Sequence, residues 1–171
     1  KSNVEDLGPN YKGAKIGLVV PSYVTIDTLA DLKSNISKFN NQIIGIDPGA
    51  GIMKLTEKFI KKNNVDAQLI EGSGATMAAA LKEAIDKKEW IVVTGWAPHW
   101  KFGRWDLKIL KDPKNEFGAE ETINTVVRKG LKEDIPEVYN FLDKFNWSNE
   151  DISKVMVANQ EKHADYNKTA R

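Results

Sequence analysis

The sequence predicts an α/β fold, a three-layer αβα sandwich around a mostly parallel central sheet. Short apolar runs that suit buried strands alternate along the 171 residues with amphipathic or Ala-rich runs of helical period. This alternation is typical of parallel strands connected by helices. The length suffices for one domain with a substantial core and is a little short for two independent domains.

The first half of the chain alternates regularly between strands and helices. Apolar residues run together in four predicted strands, at 14–20, 42–46, 67–70 and 90–94. Pro21 closes the first strand, and Asp47 closes the second. The intervening helices are a short one at 25–32 with Thr or Asp as its cap, one with Ile52, Leu55, Phe59 and Ile60 on one face, and an Ala-rich one at 75–84.

The second half of the chain is predicted to be less regular. Residues 108–121 have the composition of a loop with short turns, and residues 123–128 return to extended structure. Two helices follow at about 136–145 and 149–158, and Ser148 is a suitable N-cap for the second.

Composition excludes several classes of function. The formal net charge of +1 gives no basic face, so nucleic acid is not expected as a partner. The absence of cysteine excludes disulfides, thiolate zinc sites and thiol catalysis. With two histidines and no ligand-like spacing of carboxylates, neither a metal nor a cofactor is expected.

The sequence contains no apolar stretch long enough to cross a bilayer and no signal-peptide hydrophobic region. It begins with Lys1 and stops within a polar stretch at Arg171. We therefore expect the chain to be a processed or excised piece of a longer protein.

A Gly-rich turn between a strand and a helix is the strongest local signal. It reads Asp-Pro-Gly-Ala-Gly-Ile-Met at 47–53. Unpaired amides at such a helix start carry the positive end of the helix dipole and suit a carboxylate or a phosphate equally. The spacing is neither a dinucleotide fingerprint nor a P-loop, and the glycines could serve only a tight turn. At the comparable junction at 71–77, Ser and Thr are expected mainly to cap a helix.

Trp96 stands where the most hydrophobic strand runs out into a loop. Ligands of open α/β folds collect beyond the carboxyl ends of the strands, and an indole there offers its π face to a cation. The alternative is that Trp96 only closes the end of the core. Amide donors at Gly51 and Ile52 and an indole at Trp96 would together suit a zwitterion that has a carboxylate and an alkylated ammonium.

An enzyme is the alternative from another class. It would use the helix start at Gly49–Ile52 as an anion site and His99 as a base. The sequence has no Gly-x-Ser-x-Gly nucleophile elbow, and Asp47 and Asp106 suit turn or supporting roles better than an acid/base pair. A third possibility is a stable module that contacts a membrane permease.

Four segments resemble the glycine betaine-binding proteins of compatible-solute ABC importers. They read Ile-Gly-Ile-Asp-Pro-Gly-Ala-Gly-Ile-Met at 44–53, Thr-Gly-Trp-Ala-Pro-His-Trp at 94–100, Leu-Lys-Ile-Leu-Lys-Asp-Pro at 107–113 and Gly-Ala-Lys-Ile-Gly-Leu-Val-Val-Pro at 13–21. The resemblance covers nearly the whole chain, and the first two segments are specific to the family. Some members of the family have a circularly permuted order of segments. This chain has the other order, because Gly-Leu-Val-Val-Pro at 17–21 comes before Ile-Gly-Ile-Asp-Pro-Gly at 44–49.

The resemblance implies a ligand site and its residues. The family holds a trimethylammonium group in a cage of tryptophans and the carboxylate on main-chain amides. Carried over, Trp96 becomes one cage wall, and the amides of Gly51 and Ile52 become the carboxylate cradle. Rim or supporting roles are then expected for Asp47, Gly49, Ala50 and His99. A quaternary ammonium has no N–H donor, so only cation–π attraction and shape can recognise it.

The chain also departs from the family pattern. Members have two lobes of a type II periplasmic-binding-protein fold, and the other lobe carries Val-x-Trp-Asp-Ser and Ala-Trp-Leu-Pro-x-Thr-His segments that this chain lacks. Trp90, Trp100, Trp105 and Trp147 lie outside those contexts, so we expect them to pack or to line the rim. The chain is then a single substrate-binding lobe over 1–171, with a core at about 22–122, hinge strands at about 16–20 and 124–127, and C-terminal helices at about 136–158.

The resemblance further implies an extracytoplasmic location and osmoprotective uptake, with the protein attached to or fused with a membrane transporter. The expected partners are glycine betaine or a similar zwitterion, the missing second lobe and an ABC permease. Since one wall is not a cage, this lobe alone is expected to bind betaine weakly or not at all.

Overall fold

The computed structural model describes residues 3–161 and 163–169. Residues 1, 2, 162, 170 and 171 of the predicted lobe lie outside this range. The strands are β1 (Val4–Pro21), β2 (Gln42–Ile44), β3 (Gln68–Ile70), β4 (Val93–Ala97), β5 (Leu107–Ile109) and β6 (Glu121–Arg128). The helices are α1 (Leu29–Asn35), α2 (Gly51–Asn63), α3 (Gly74–Lys87), α4 (Trp100–Arg104), α5 (Leu131–Asp134), α6 (Pro136–Lys144), α7 (Asn149–Ala158) and α8 (Tyr166–Thr169), and a 3-10 turn spans Ile36–Phe39.

The strands form one mixed sheet in the order β3-β2-β4-β1-β5, with β6 added along β1. β2 runs parallel to both β3 and β4. β1 runs antiparallel to β4, β5 and β6. The predicted α/β class is confirmed, and the parallel part of the sheet consists of β2, β3 and β4. Periodicity in the sequence indicates that a strand exists but not the direction in which it pairs.

β1 begins ten residues before its predicted start because its first half pairs with a different partner from its second half. Its second half pairs with β4 and β5, and its first half pairs with β6 through several register shifts. Gly8 and Gly13 have φ values of 93° and 85° in that first half, and in the sequence such glycines indicate turns. Of the predicted hinge strands, 16–20 lies in the central part of the sheet and 124–127 lies in β6; their role as hinges stays a prediction.

The core holds α2 against the carboxyl end of β2. Ile52, Met53 and Phe59 are buried on the inner face of this helix. The backbone N–H of Ile46 donates to the Sδ atom of Met53 at 3.3 Å. The same thioether lies where a Cβ of residue 45 would be, and the Ile70 carbonyl oxygen lies 3.0 Å from that point, so Gly45 permits the close packing of Met53 on the sheet. The first turn of α2 is therefore fixed in position relative to the sheet.

Two predicted N-caps are confirmed. The Ser73 side chain accepts from the N–H of Thr76, whose own side chain accepts from Ser73 N–H, so a capping box begins α3. The Ser148 side chain accepts from the N–H of Asp151 at the start of α7. Ser and Thr at these positions are thus used as local hydrogen-bond acceptors.

Among the short elements that were not predicted, α4 and β5 matter most for the site. Both are too short to show a periodic pattern in the sequence, and β5 is recognisable only from its pairing with β1. α7 packs directly on α4. A Cβ at Gly103 would lie 2.7 Å from Cγ2 of Val157, so the absence of a side chain at Gly103 permits this close approach. Among the described residues, no helix has the length and apolar character needed to cross a bilayer.

Candidate ligand-binding site

Trp96 lies near the carboxyl end of β4, where it pairs with Ile16 of β1. The strand continues to Ala97, three residues beyond its predicted end, because β1 provides a partner as far as Lys15. The indole is half-buried and packs against the edge of the core. Both expectations for this residue therefore have a structural basis: it contacts the core and also retains exposed surface.

The start of α2 has no side-chain cap. Its N-cap residue is Ala50, which offers no acceptor, and the first turn contains no acidic residue. Within the described part of the chain, neither Gly51 N–H nor Ile52 N–H has a hydrogen-bond acceptor. The positive end of the α2 dipole is thus available to an external anion.

Gly49 and Gly51 are not required by the backbone conformation. Neither has a positive φ value, and a Cβ at either position would have no neighbour within 4 Å. The turn that precedes the helix is closed instead by Ala50 N–H, which donates to the carbonyl of Asp47 at 3.0 Å. The two glycines therefore leave open space in front of the free amides.

Trp96 and the start of α2 lie at the same edge of the sheet. β2 and β4 are parallel neighbours, with Ile44 opposite Val93, so their carboxyl ends point to the same edge, where β4 extends beyond β2 as far as Ala97. α2 also contacts β4. Ligands of open α/β folds bind at such an edge.

A depression of about 330 Å³ adjoins Trp96. Its lining includes Ile16, Trp96, Pro98, Phe117, Ile123 and Met156. This volume is at the lower end of the range for small-molecule pockets. Gly51 and Ile52 do not line this depression, so in this lobe the amides and the indole share an edge without forming one closed pocket.

A series of ring contacts connects Trp96 to His99, Trp100 and Trp105. His99 meets the indole nearly perpendicularly, with ring centroids 4.7 Å apart. Trp100 follows at 5.2 Å from His99, and Trp105 at 5.6 Å from Trp100. The density of aromatic residues between 96 and 105 is the sequence signal for this cluster, but their mutual contacts depend on the fold of α4.

His99 forms the N-cap of α4. Its Nδ1 atom accepts from Lys101 N–H at 3.2 Å. Burial, with a smaller contribution from the Lys101 ammonium, lowers the pKa of His99 to about 4. The imidazole is therefore neutral at neutral pH and already engaged, which makes it a weak base.

Lys101 is the main feature of the site that sequence reasoning missed. Its side chain is 0% exposed, and its Nζ atom donates to the carbonyl of Thr94 at 3.0 Å. Nζ also lies 5.3 Å from the centroid of the Trp96 ring. Gly95 provides the space, because a Cβ there would lie 2.9 Å from Nζ. Burial lowers the pKa of Lys101 to about 8.

The remaining tryptophans pack away from Trp96. Trp90 lies before β4, with its ring centroid 5.2 Å from that of Phe39 and 4.7 Å from Nζ of Lys38. Trp147 packs against Phe145 with centroids 5.0 Å apart. In the described ranges, no group of three or more His, Asp or Glu side chains is placed to hold a metal ion.

Comparison with known proteins identifies the family. The family model described as the substrate binding domain of ABC-type glycine betaine transport systems matches residues 1–171. The glycine betaine/carnitine transport binding protein GbuC of Listeria monocytogenes is 50% identical over 131 residues, which are 74% of this chain and 44% of that protein.

Solved structures give the same result. Lactococcal OpuAC, in a closed complex with glycine betaine, is 46% identical with a TM-score of 0.76, over 98% of this chain and 65% of its own. The glycine/betaine/L-proline-binding protein ProX of Borrelia burgdorferi is 38% identical with a TM-score of 0.75, over 98% of this chain and 64% of its own. The chain thus spans less than two thirds of the length of these relatives.

The family is one of transport substrate-binding proteins and not of enzymes, so the alternative enzymatic interpretation has no support. The match over the entire length is decisive, together with the two solved relatives that share both sequence and fold. The chain belongs to the family of substrate-binding domains of ABC-type glycine betaine transport systems.

Proposed function

We propose that this chain is one lobe of a binding protein that takes up glycine betaine or a related quaternary-ammonium zwitterion. The observation that carries the proposal is the uncapped start of α2 at the same sheet edge as Trp96. The free amides of Gly51 and Ile52 suit the ligand's carboxylate, and the exposed part of the Trp96 indole suits its trimethylammonium group.

The surrounding residues have supporting roles in this proposal. Asp47 and Gly49 shape the turn that presents the amides, and Ala50 leaves them uncapped. His99 holds the edge of the Trp96 ring and begins α4. Because burial keeps His99 neutral, it adds no positive charge beside the ligand's cation.

A second lobe completes the site in this proposal. Apolar side chains remain exposed on β1, β6 and α6: Val4 at 49%, Ile123 at 41%, Val126 at 55% and Phe141 at 64%. Exposed apolar side chains on neighbouring elements suit a contact with another lobe. The chain covers 65% of lactococcal OpuAC, so a further third of a comparable protein is available to cover that surface.

The mechanism proposed is closure of two lobes on the ligand, followed by delivery to an ABC permease. The closed state is favoured because both lobes contact the solute only when closed. We propose an extracytoplasmic location with attachment to, or fusion with, the membrane transporter, because substrate-binding proteins of ABC importers work outside the cytoplasmic membrane.

Calorimetric titration with glycine betaine tests the proposal in the two-lobe protein that contains this chain. Trp96→Ala should abolish binding. Trp90→Phe is the matched control, because Trp90 precedes the same strand but packs against Phe39, and it should retain wild-type affinity. Equal affinity in the Trp96→Ala and wild-type proteins would contradict the proposal.

A further inference from the structure

Lys101 places a positive charge directly behind the proposed cation site. Its side chain is fully buried while the Trp96 indole is partly exposed. The ring surface that Lys101 covers is therefore not the surface that a ligand approaches. A ligand cation on the exposed side would share the indole with an ammonium already 5.3 Å from the ring centroid.

The charge of Lys101 is not neutralised locally. Its Nζ atom donates to the Thr94 carbonyl, and none of the described carboxylates forms an ion pair with it. Among nearby carboxylates, Glu120 pairs with Lys15 at 3.3 Å, and Glu121 lines the depression without an ion pair to Lys101. With a pKa of about 8, Lys101 is mostly protonated at neutral pH.

We propose that Lys101 is a specificity-determining residue that acts through Trp96 and makes the site prefer zwitterions over simple quaternary-ammonium cations. This proposal rests on the proposed function of Trp96 as a cage wall. A lone cation across the ring is repelled by the buried ammonium. In a zwitterion, the buried ammonium repels the ligand's cationic group but attracts its carboxylate, so most of the net effect on binding cancels.

The expected size of the effect follows from the geometry. A cation over the exposed side of the ring would lie about 10 Å from Nζ, since cation–π partners lie within about 6 Å of a ring centroid. At an effective dielectric constant of about 20, that separation weakens binding of a simple cation by roughly tenfold. A carboxylate a few ångströms further away recovers most of this loss for betaine.

The first test compares tetramethylammonium with glycine betaine on the two-lobe protein that contains this chain. Titrations follow the indole N–H resonance of Trp96 by NMR, a method that detects millimolar binding. The Trp96→Phe variant assigns this resonance. Lys101→Met should raise the affinity for tetramethylammonium about tenfold relative to that for betaine. A purely structural role of Lys101 would change both affinities by the same factor, and that outcome overturns the proposal.

A second test uses the wild-type protein, so it does not depend on whether a variant folds correctly. In the wild-type chain, the preference for betaine over tetramethylammonium should fall severalfold or more between pH 7 and pH 9.5, as Lys101 loses its charge. His99, with a pKa of about 4, stays neutral over that range. The charged side chains on the elements packed against α4 are Lys108 on β5 and Glu150, Asp151 and Lys154 on α7, while α4 itself carries Arg104, and Lys15 of β1 lines the depression.

Lys15→Gln is the control for the pH readout, because Lys15 is the cationic side chain in the lining of the depression. This variant should keep the pH dependence of the preference. A preference that is constant with pH in the wild-type chain overturns the proposal. If the Trp96 resonance responds to neither ligand, the proposed function of Trp96 fails as well, so the two failures can be told apart.

Discussion

Ala50 and Ser73 occupy the same position, the N-cap, in the two helices that follow parallel strands β2 and β3, but only Ser73 caps its helix. Both residues have extended backbone geometry, with ψ values of 142° and 165°. Their φ values differ, at −67° and −129°, and only Ser73 has a side-chain acceptor. In α3 the Ser73 hydroxyl accepts from Thr76 N–H, whereas in α2 the equivalent Met53 N–H donates to the backbone carbonyl of Ala50 and no capping side chain stands in front of Gly51 N–H and Ile52 N–H.

Adding a side-chain cap to α2 should stabilise the protein and weaken ligand binding. Ala50→Ser adds an oxygen that can accept from the first turn of α2, so the free energy of unfolding should rise by about 0.5–1 kcal/mol. Betaine affinity of the two-lobe protein should fall, because the hydroxyl competes with the ligand's carboxylate. Urea unfolding and calorimetry measure the two effects.

Ser73→Ala is the matched control for that exchange. It removes an existing cap, so it should lower the free energy of unfolding by about 1 kcal/mol and leave betaine affinity unchanged. The interpretation of α2 as the carboxylate cradle is wrong if Ala50→Ser stabilises the protein without weakening binding.

Lys101 should make stability depend on pH in the alkaline range. Its pKa is lowered to about 8 in the folded protein, so between that pH and about 10.4 the unfolded chain binds more protons. Stability should therefore rise with pH across this window. The cost of burying the charge is present in full below pH 8 and amounts to at most about 3 kcal/mol.

Lys101→Met isolates this contribution. The variant lacks the buried charge, so relative to wild type it should be more stable at pH 7, and the difference should shrink as pH rises toward 10. Loss of the hydrogen bond to Thr94 offsets about 1 kcal/mol of the gain at every pH. Urea unfolding at several pH values measures the difference, and a difference that does not vary with pH contradicts the prediction.

The sequence was sufficient to predict the elements that position the site. Strand–turn–helix punctuation at 44–53 predicts an open helix start, and the structure has one with Ala50 as an empty N-cap. The helix start and the absence of a capping side chain both depend only on local residue types, so they can be predicted without coordinates. The roles of Gly51, Ile52 and Trp96 in ligand binding stay predictions.

Long-range packing could not be predicted in the same way. A lysine in a short segment is ordinarily expected at the surface, but the side chain of Lys101 folds back under β4, where Gly95 leaves space for Nζ. The first half of β1 was missed for a related reason, since its glycines suggest turns while β6, more than a hundred residues away, pairs with it.

The imidazole of His99 should destabilise the protein at acidic pH. Its pKa falls to about 4 in the folded state, well below the unfolded value of about 6.5. Between these values the unfolded chain binds more protons, so stability is lost as pH falls from 6.5 to 4. The loss is smaller than about 3 kcal/mol, because His99 keeps some contact with solvent that screens its charge.

His99→Asn tests this with the helix cap preserved. Asn can accept from Lys101 N–H as His99 Nδ1 does, but it does not titrate. The variant should match wild type near pH 7 to within about 1 kcal/mol and lose less stability by pH 4. Identical acid profiles would show that His99 is not responsible for the loss.

The junction between α4 and α7 should be intolerant of a single added methyl group. A Cβ at Gly103 would lie 2.7 Å from Cγ2 of Val157 and 3.3 Å from the backbone carbonyl oxygen of Ser153. The backbone atom cannot rotate away as a side chain can, so Gly103→Ala should lower the free energy of unfolding by about 1–3 kcal/mol. Gly74→Ala, at the start of α3 with no atom within 4 Å of its Cβ, is the matched control and should be neutral or slightly stabilising. The same pair of variants tests whether α7 is coupled to the site, because Met156 of α7 lines the depression beside Trp96. Gly103→Ala should shift the Trp96 indole resonance, and Gly74→Ala should leave it in place. Equal behaviour of the two variants would contradict coupling between α7 and the site.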